Sequence, residues 1–244
     1  MMQMGQISNW GNQLIHPEAI WRITKGRNIN VCIIDTGCDD THPDLKDNVT
    51  VKFDPYGGNG DDHNFHGTHV ASICGAIDNN FGVVGVAPEC SLMIAKGLDD
   101  NGRGDWAKIA QCIQWATQNG AHIINMSLGS NNKPSQILHD AIKWATSKGV
   151  IVVAAAGNDP TARPDRFSNI STAYPAKYPE VIAVAATDPQ GNLAYFSQGD
   201  EDVHTAAPGI DIYGCYRNHG YAKLTGTSQA VSYTHLTLPT IYSV

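Results

Sequence analysis

The sequence is poor in charged and aromatic residues, and it contains no long apolar run. Charged residues make up 16% of the 244 positions and aromatic residues 8%. The 16 Lys and Arg residues are outnumbered by 23 Asp and Glu residues, which gives a formal net charge of −7. This balance argues against a nucleic-acid-binding surface and fits a protein with cation sites. No apolar segment approaches the roughly 20 residues of a membrane-spanning helix, so no membrane partner is expected.

The first six residues contain neither the basic nor the apolar segment of a secretory signal peptide. We therefore expect a cytoplasmic protein, or a secreted one if an N-terminal segment is missing. The six cysteines do not cluster, and a chain of this length is not expected to depend on a disulfide framework. Cys32, Cys74 and Cys112 lie in apolar segments and are interpreted as small buried side chains. Cys38 lies close to Asp35, where a thiol reagent would inhibit any chemistry at that carboxylate.

Short apolar segments alternate with amphipathic ones along the chain. Segments rich in apolar and β-branched residues, typical of buried strands, occur at 30–34, 90–95, 121–126, 150–154 and 181–185. Helical patterns cover 105–119 and 135–148, and a glycine follows each of them. This alternation predicts a three-layer α/β fold with a mostly parallel central sheet and helices on both faces. Ligands of such sheets bind at the carboxyl ends of the strands.

Three separated segments carry the residues of a hydrolytic triad: Asp35 in Asp-Thr-Gly, His66 in His-Gly-Thr-His and Ser228 in Gly-Thr-Ser. A serine hydroxyl is a weak nucleophile until a base accepts its proton. A neutral imidazole does this once a carboxylate fixes its tautomer. Asp, His and Ser in this chain order therefore indicate nucleophilic hydrolysis. His69 lacks a third ligand at metal-binding spacing and is interpreted as structural.

The segments 35–45, 66–71, 154–158 and 226–228 resemble the signature segments of the subtilase family of serine peptidases. Among subtilases, the chain looks most similar to bacterial intracellular subtilisins, through Asp-Thr-Gly-Cys-Asp from residue 35 and Lys-Leu-Thr-Gly-Thr-Ser from residue 223. The resemblance implies a serine endopeptidase acting on peptides or proteins. Ser228 would be the nucleophile, His66 the base and Asp35 its partner, while Asn158 would donate to the oxyanion.

The resemblance also implies where the substrate binds. Two edge segments would flank an extended peptide and bind it through backbone hydrogen bonds: Gly102, Arg103 and Gly104 on one side, and Ser127, Leu128 and Gly129 on the other. The stretch from Ala154 to Gly157 would line the first specificity pocket. The preference of that pocket and the oligomeric state do not follow from the sequence.

The family resemblance further implies a Ca²⁺ site. Calcium prefers six to eight hard oxygen ligands, which mix carboxylate, amide and backbone carbonyl groups. Side-chain oxygens would come from Asp44 and Asn79, and carbonyl oxygens from Ile77, Phe81 and Val83. Gln6 would complete the site from the N-terminal arm, although an ordinary polar N-terminus is an equally good interpretation of that residue.

The chain departs from the family pattern at several positions. Phe65 and Ser72 stand where glycine is usual, and Gln229 follows the nucleophile where methionine is usual. Residues 231–244 resemble the translation of a sequencing adapter, and we interpret them as a non-native tail after a C-terminally truncated catalytic domain, 1–230. On this interpretation the chain lacks the C-terminal helices of the family, and the 244-residue chain is expected to be inactive although its gene encodes a peptidase.

Single features of the sequence also occur in other classes of protein. Asp-Thr-Gly also occurs in aspartic peptidases, but those need a second such carboxylate, which is absent here. A dinucleotide enzyme would need a Gly-rich turn directly after the first strand, and Asp-Thr-Gly-Cys is not one. A non-catalytic peptide-binding protein with the subtilase fold is the alternative of a different class, since the triad residues could persist without turnover.

Overall fold

The computed structural model describes residues 5–131, 134–159 and 171–234. Its α-helices are α1 (Trp10–Ile15), α2 (Glu18–Trp21), α3 (His66–Gly75), α4 (Trp106–Gln118), α5 (Gln136–Ser147) and α6 (Thr227–Val231). Its strands are β1 (Asn30–Asp35), β2 (Val49–Phe53), β3 (Ser91–Lys96), β4 (Ile123–Met126), β5 (Ile151–Ala155), β6 (Ile182–Thr187), β7 (Thr205–Pro208), β8 (Ile212–Tyr216) and β9 (Gly220–Leu224). No helix within these residues is long and apolar enough to cross a membrane.

The first seven strands form one parallel sheet in the order β2-β3-β1-β4-β5-β6-β7. The five segments predicted as buried strands are β1, β3, β4, β5 and β6, so the predicted sheet is confirmed. The two predicted helices are α4 and α5, and the Asp105 carboxylate caps α4 by accepting from the Ala107 amide at 2.6 Å. β8 and β9 form a separate antiparallel hairpin.

The core consists of two apolar layers, one on each face of the sheet. Along β1, Val31 and Ile33 face the layer that contains α3 and α6, whereas Cys32 and Ile34 face the layer of α4 and α5. This alternation follows from the two-residue period of a strand, and it produces the predicted three-layer arrangement. All six cysteines are buried and free, in agreement with the expectation that no disulfide framework is needed.

Candidate active site

The carboxyl end of β1 places Asp35 against the first residue of α3. The Asp35 Oδ1 atom lies 2.7 Å from His66 Nδ1 and also accepts a hydrogen bond from the Thr36 amide at 2.7 Å. Asp35 is 1% exposed, whereas a quarter of the His66 side chain is exposed. Because Nδ1 donates to the carboxylate, the neutral ring carries its free lone pair on Nε2, which is the tautomer of a general base.

The environment of His66 stabilises its protonated form. Burial of the ring opposes protonation, but the charge of Asp35 and its hydrogen bond outweigh burial and raise the pKa of His66 above the usual value. A further contribution in the same direction comes from Asp62. A base with a raised pKa accepts a proton more readily, although it is fully deprotonated only at a higher pH.

A second buried carboxylate, Asp62, fixes the two segments that carry this pair. Its Oδ1 atom accepts from Thr36 Oγ1 at 2.9 Å, and its Oδ2 atom accepts from both the amide and the hydroxyl of Thr68 at 2.9 and 2.6 Å. Thr36 directly follows Asp35, and Thr68 lies in the first turn of α3 together with His66. Asp62 therefore fixes the position of the Asp35 carboxylate relative to the His66 imidazole.

Ser228 lies in the first turn of α6, on the wall of the same cleft as His66. Its side chain is almost buried, and its Oγ atom donates to the carbonyl of Ser127 at 3.0 Å rather than to His66. Ser127 Oγ in turn donates to the Ser228 carbonyl at 2.9 Å. The structure thus places His66 and Ser228 at one cleft, with Asp35 buried behind His66 and the Ser228 hydroxyl turned toward the edge segment.

Asn158 presents its amide donor to the cleft beside Ser228. Its Oδ1 atom accepts from the backbone amide and the hydroxyl of Thr227 at 2.9 and 3.0 Å. Because a backbone N–H can only donate, this pairing identifies the oxygen end of the carboxamide and leaves Nδ2 free. A Cβ placed on Gly226 would lie 3.3 Å from Asn158 Nδ2 and 3.7 Å from Ser228 N, so the two donors are neighbours. Two neighbouring N–H donors are the kind of group that can stabilise a negatively charged oxygen.

The predicted substrate segments line a cleft with a volume of 810 Å³. The wall includes Gly102, Arg103 and Gly104 on one side and Ser127, Leu128 and Gly129 on the other, with Gly157 behind them. Ala154 is a correction, because its side chain lies in the apolar layer of α4 and α5. Alternate residues of a strand face opposite sides, so Ala155 lines the cleft instead.

All six predicted calcium-binding residues are joined by hydrogen bonds. Gln6 Nε2 donates to the carbonyls of Ile77 at 3.0 Å and Val83 at 3.4 Å, so two carbonyl oxygens converge on one point. Asn79 Nδ2 and Val83 N donate to the two oxygens of Asp44 at 3.1 and 2.8 Å. Phe81 lies in the same loop, where its amide donates to Asn79 Oδ1 at 2.9 Å. The set offers carboxylate, carboxamide and carbonyl oxygens, which are the ligand types of a hard cation, and Gln6 would turn its carboxamide oxygen inward to join them.

Two residues that depart from the family pattern, Phe65 and Gln229, and the structural histidine His69 have defined environments. Phe65 adopts a φ of 133°, a conformation that favours glycine, and its ring stacks on Tyr216 with centroids 5.0 Å apart. His69 contacts the carbonyls of Ile212 and Ala222 on the β8–β9 hairpin at 3.0 and 3.2 Å. Burial lowers the pKa of His69 to about 4, in agreement with a neutral structural ring. The Oε1 atom of Gln229 lies next to Gly226, 3.1 Å from the point that a Cβ added to this glycine would occupy.

The environment of Cys38 does not favour the reaction with thiol reagents that its sequence position suggested. The side chain is 0% exposed, and burial, reinforced by the charge of Asp62, raises the pKa of the thiol well above its usual value. A thiol in such surroundings is a poor nucleophile because the thiolate is the reactive form.

Sequence reasoning missed several residues that shape the site. Asp62 and Thr227 act through the contacts of Asp62 and Asn158 described above, and Ala173 and Gln198 line the cleft from a later part of the chain. The position of Asp62 in the sequence, between the Asp35 and His66 motif segments, was the one available signal for a structural carboxylate. No pattern in the sequence marks Gln198, which reaches the cleft only through the fold.

Residues 26–232 match the model of the subtilase family. The chain is 42% identical to subtilisin BL of Lederbergia lenta over 222 residues, which cover 91% of this chain and 79% of that protein. It is 42% identical to the major intracellular serine protease of Bacillus subtilis over 243 residues, covering 96% and 74%. For the alkaline protease of Shouchella clausii the identity is 41% over 228 residues, covering 93% of this chain and 57% of that protein.

Proposed function

The chain belongs to the subtilase family and is a serine-type endopeptidase, and we propose that it cleaves peptide bonds through the triad of Asp35, His66 and Ser228. The observation that carries this mechanism is the 2.7 Å contact between Asp35 and His66 beside a cleft that also exposes Ser228 and Asn158. Peptide or protein chains are the substrates.

The hydrogen bond between the Ser228 hydroxyl and the Ser127 carbonyl links substrate binding to activation of the nucleophile. The Ser127 carbonyl lies on an edge segment where an extended substrate would donate a backbone N–H. When the substrate N–H donates to the Ser127 carbonyl, the Ser228 hydroxyl loses its present acceptor. It then turns to donate to His66 Nε2. His66 then removes the proton as the oxygen attacks the scissile carbonyl, and later delivers this proton to the leaving amine.

The attack produces a tetrahedral intermediate and then an acyl-enzyme. The developing negative charge on the substrate oxygen is stabilised by Asn158 Nδ2 and the Ser228 amide. Water, activated by the same imidazole, hydrolyses the ester and returns the proton to Ser228. Asp35 remains ionised throughout and stabilises the imidazolium that forms at each step.

A fluorophosphonate probe tests this mechanism, because it reacts with an activated serine. In the chain with a C-terminal helix restored, we expect labelling at Ser228 by peptide mass, loss of labelling in Ser228→Ala, and unchanged labelling in Ser147→Ala, an exposed serine on α5. Active-site titration then gives the fraction of competent chains. A protein that binds peptides with neither labelling nor turnover would support the non-catalytic alternative and refute the mechanism. A titrated fraction near zero that rises when a C-terminal helix is restored would support the inactive-fragment alternative.

Subtilases generally bind calcium, and we propose that Gln6, Asp44, Ile77, Asn79, Phe81 and Val83 hold a Ca²⁺ ion in this chain. The convergence of the Ile77 and Val83 carbonyls on one point supports the assignment. A bound ion would fasten the N-terminal arm to the loop at 77–83, where Ile7 already donates to Gly82 at 2.6 Å. Its contribution would be to stability, with no part in the bond cleavage.

Two further sequence interpretations remain proposals. We propose a cytoplasmic location, supported by six free buried thiols and testable by cell fractionation. We also propose that residues 231–244 are not native, which independent sequencing of the gene would decide. Residues 231–234 belong to the described structure, where Tyr233 donates to Asn9 Oδ1 at 2.8 Å, whereas residues 235–244 lie outside it.

A further inference from the structure

The inner part of the cleft, behind Asn158, contains one polar side chain that the peptidase mechanism does not use. Gln198 lines the cleft, although only 2% of its surface is exposed. It lies beside Gly157 and Ala173, because a Cβ added to Gly157 would collide with Gln198 Oε1 and lie 3.0 Å from Ala173 Cβ. A Cβ on Gly129 would lie 3.4 Å from the same Ala173 Cβ. The two glycine-containing walls therefore meet at a floor formed by Ala173 and Gln198.

The orientation of the Gln198 carboxamide is determined by its partners. Nε2 donates to the Ser171 carbonyl at 2.8 Å and to Asn131 Oδ1 at 2.8 Å. A backbone carbonyl can only accept, so the NH₂ group must face Ser171 and the oxygen must face the opposite way, toward Gly157. Within the described residues, Gln198 Oε1 accepts no hydrogen bond. The atom is not sealed in the interior, so water can reach it from the cleft. Gln198 thus presents a fixed acceptor to the pocket.

We propose that Gln198 determines the specificity of the first pocket, by selecting substrate side chains that carry an N–H or O–H donor at their tip. This inference rests on the proposed function, since the pocket precedes the bond that Ser228 would attack. Water can reach Oε1 in the free cleft, and a bound side chain would displace that water. A tip with a donor replaces the lost hydrogen bond, whereas an apolar tip of equal size leaves a buried carbonyl unpaired.

Matched substrates measure this selection directly. Four peptide amides would differ only in the residue before the scissile bond, as the pairs tyrosine and phenylalanine, and glutamine and methionine. We expect kcat/KM to be roughly tenfold higher for the donor-bearing member of each pair. In Gln198→Leu both ratios should fall to about one, whereas Gln190→Leu, at an exposed glutamine in a turn, should keep the original ratios.

The ratio of two substrates on one preparation is independent of the folded fraction, so a destabilised Gln198→Leu still gives a decisive value. Hydrolysis of all four substrates with ratios unchanged by Gln198→Leu would overturn this inference and leave the proposed function standing. Failure to hydrolyse any of them, with no fluorophosphonate labelling even after a C-terminal helix is restored, would overturn the proposed function and this inference with it. Ratios near one in the unsubstituted chain would also overturn the inference.

Discussion

Replacing Thr227 with valine should slow catalysis without weakening substrate binding. The Thr227 hydroxyl donates to Asn158 Oδ1 at 3.0 Å and accepts from the Gly157 amide at 3.3 Å. Valine keeps the shape of the residue and the backbone hydrogen bond from Thr227 N to Asn158 at 2.9 Å. The substitution therefore removes one of the two restraints on the oxyanion donor while leaving that donor in place.

The expected magnitude follows from the value of one neutral hydrogen bond. Such a bond contributes about 0.5–1.5 kcal/mol. Because each 1.36 kcal/mol is a factor of ten in rate, kcat should fall roughly two- to thirteen-fold if the whole restraint is expressed in the transition state. KM should change little, since Asn158 meets a negative oxygen only after attack. Steady-state kinetics on a peptide p-nitroanilide, normalised to titrated sites, measures both constants.

Thr225→Val is the matched control, because its exposed hydroxyl pairs with Asp211 on the β8–β9 side and touches neither Asn158 nor Gly157. A double-mutant cycle sharpens the test. In an Asn158→Ala background, Thr227→Val should have no further effect on kcat, since the group that it orients is already gone. An unchanged kcat in Thr227→Val, or the same additional loss in the Asn158→Ala background, would refute the positioning role.

The pH dependence, calcium response and thiol reactivity follow from other contacts. The acid limb of kcat/KM should lie above the usual histidine pKa because Asp35 raises the pKa of His66, and Asp35→Asn should move that limb to lower pH while reducing kcat; an unmoved limb would contradict the pairing. Chelation should lower the melting temperature of the unsubstituted chain, with about 2.7 kcal/mol lost from a site previously at 100 times its Kd, and Asp44→Asn should abolish this dependence. Equal melting temperatures with and without chelator would refute the calcium assignment. Ellman's reagent should modify Cys38 and the other thiols only after unfolding, and rapid modification of the native chain would contradict their burial.

The buried strands could be predicted because strands covered on both faces are continuously apolar. β2 escaped prediction, since Lys52 and other partly exposed residues interrupt its pattern at the edge of the sheet. β7 is short and half exposed, and the β8–β9 hairpin lies outside the parallel sheet, so neither gives a strong signal. α3 is rich in small residues and has little amphipathic character, because nine of its residues are buried.

The three residues of the proposed triad could be singled out because each lies within a local motif, whereas the contacts that support them depend on distant segments. The Ser228 hydroxyl meets the Ser127 carbonyl across 101 positions, and Gln198 reaches Asn131 across 67. No local pattern encodes such encounters. The pocket assignment of Ala154 shows a related limit. Ala155 and Gly157 of the same segment line the cleft, but the face of β5 on which Ala154 lies is determined only by the fold.

The proposed catalytic residues Asp35 and Ser228 lie in parts of the molecule that differ in local stability. Asp35 is the last residue of β1, which is hydrogen-bonded to β3 on one side and to β4 on the other. The backbone amides of β1 should therefore be among the slowest to exchange with deuterium. Ser228 is attached to the five-residue helix α6. Local unfolding of α6 alone would therefore abolish turnover while the sheet stays folded. On heating, the enzymatic activity would be lost at a lower temperature than the circular dichroism signal.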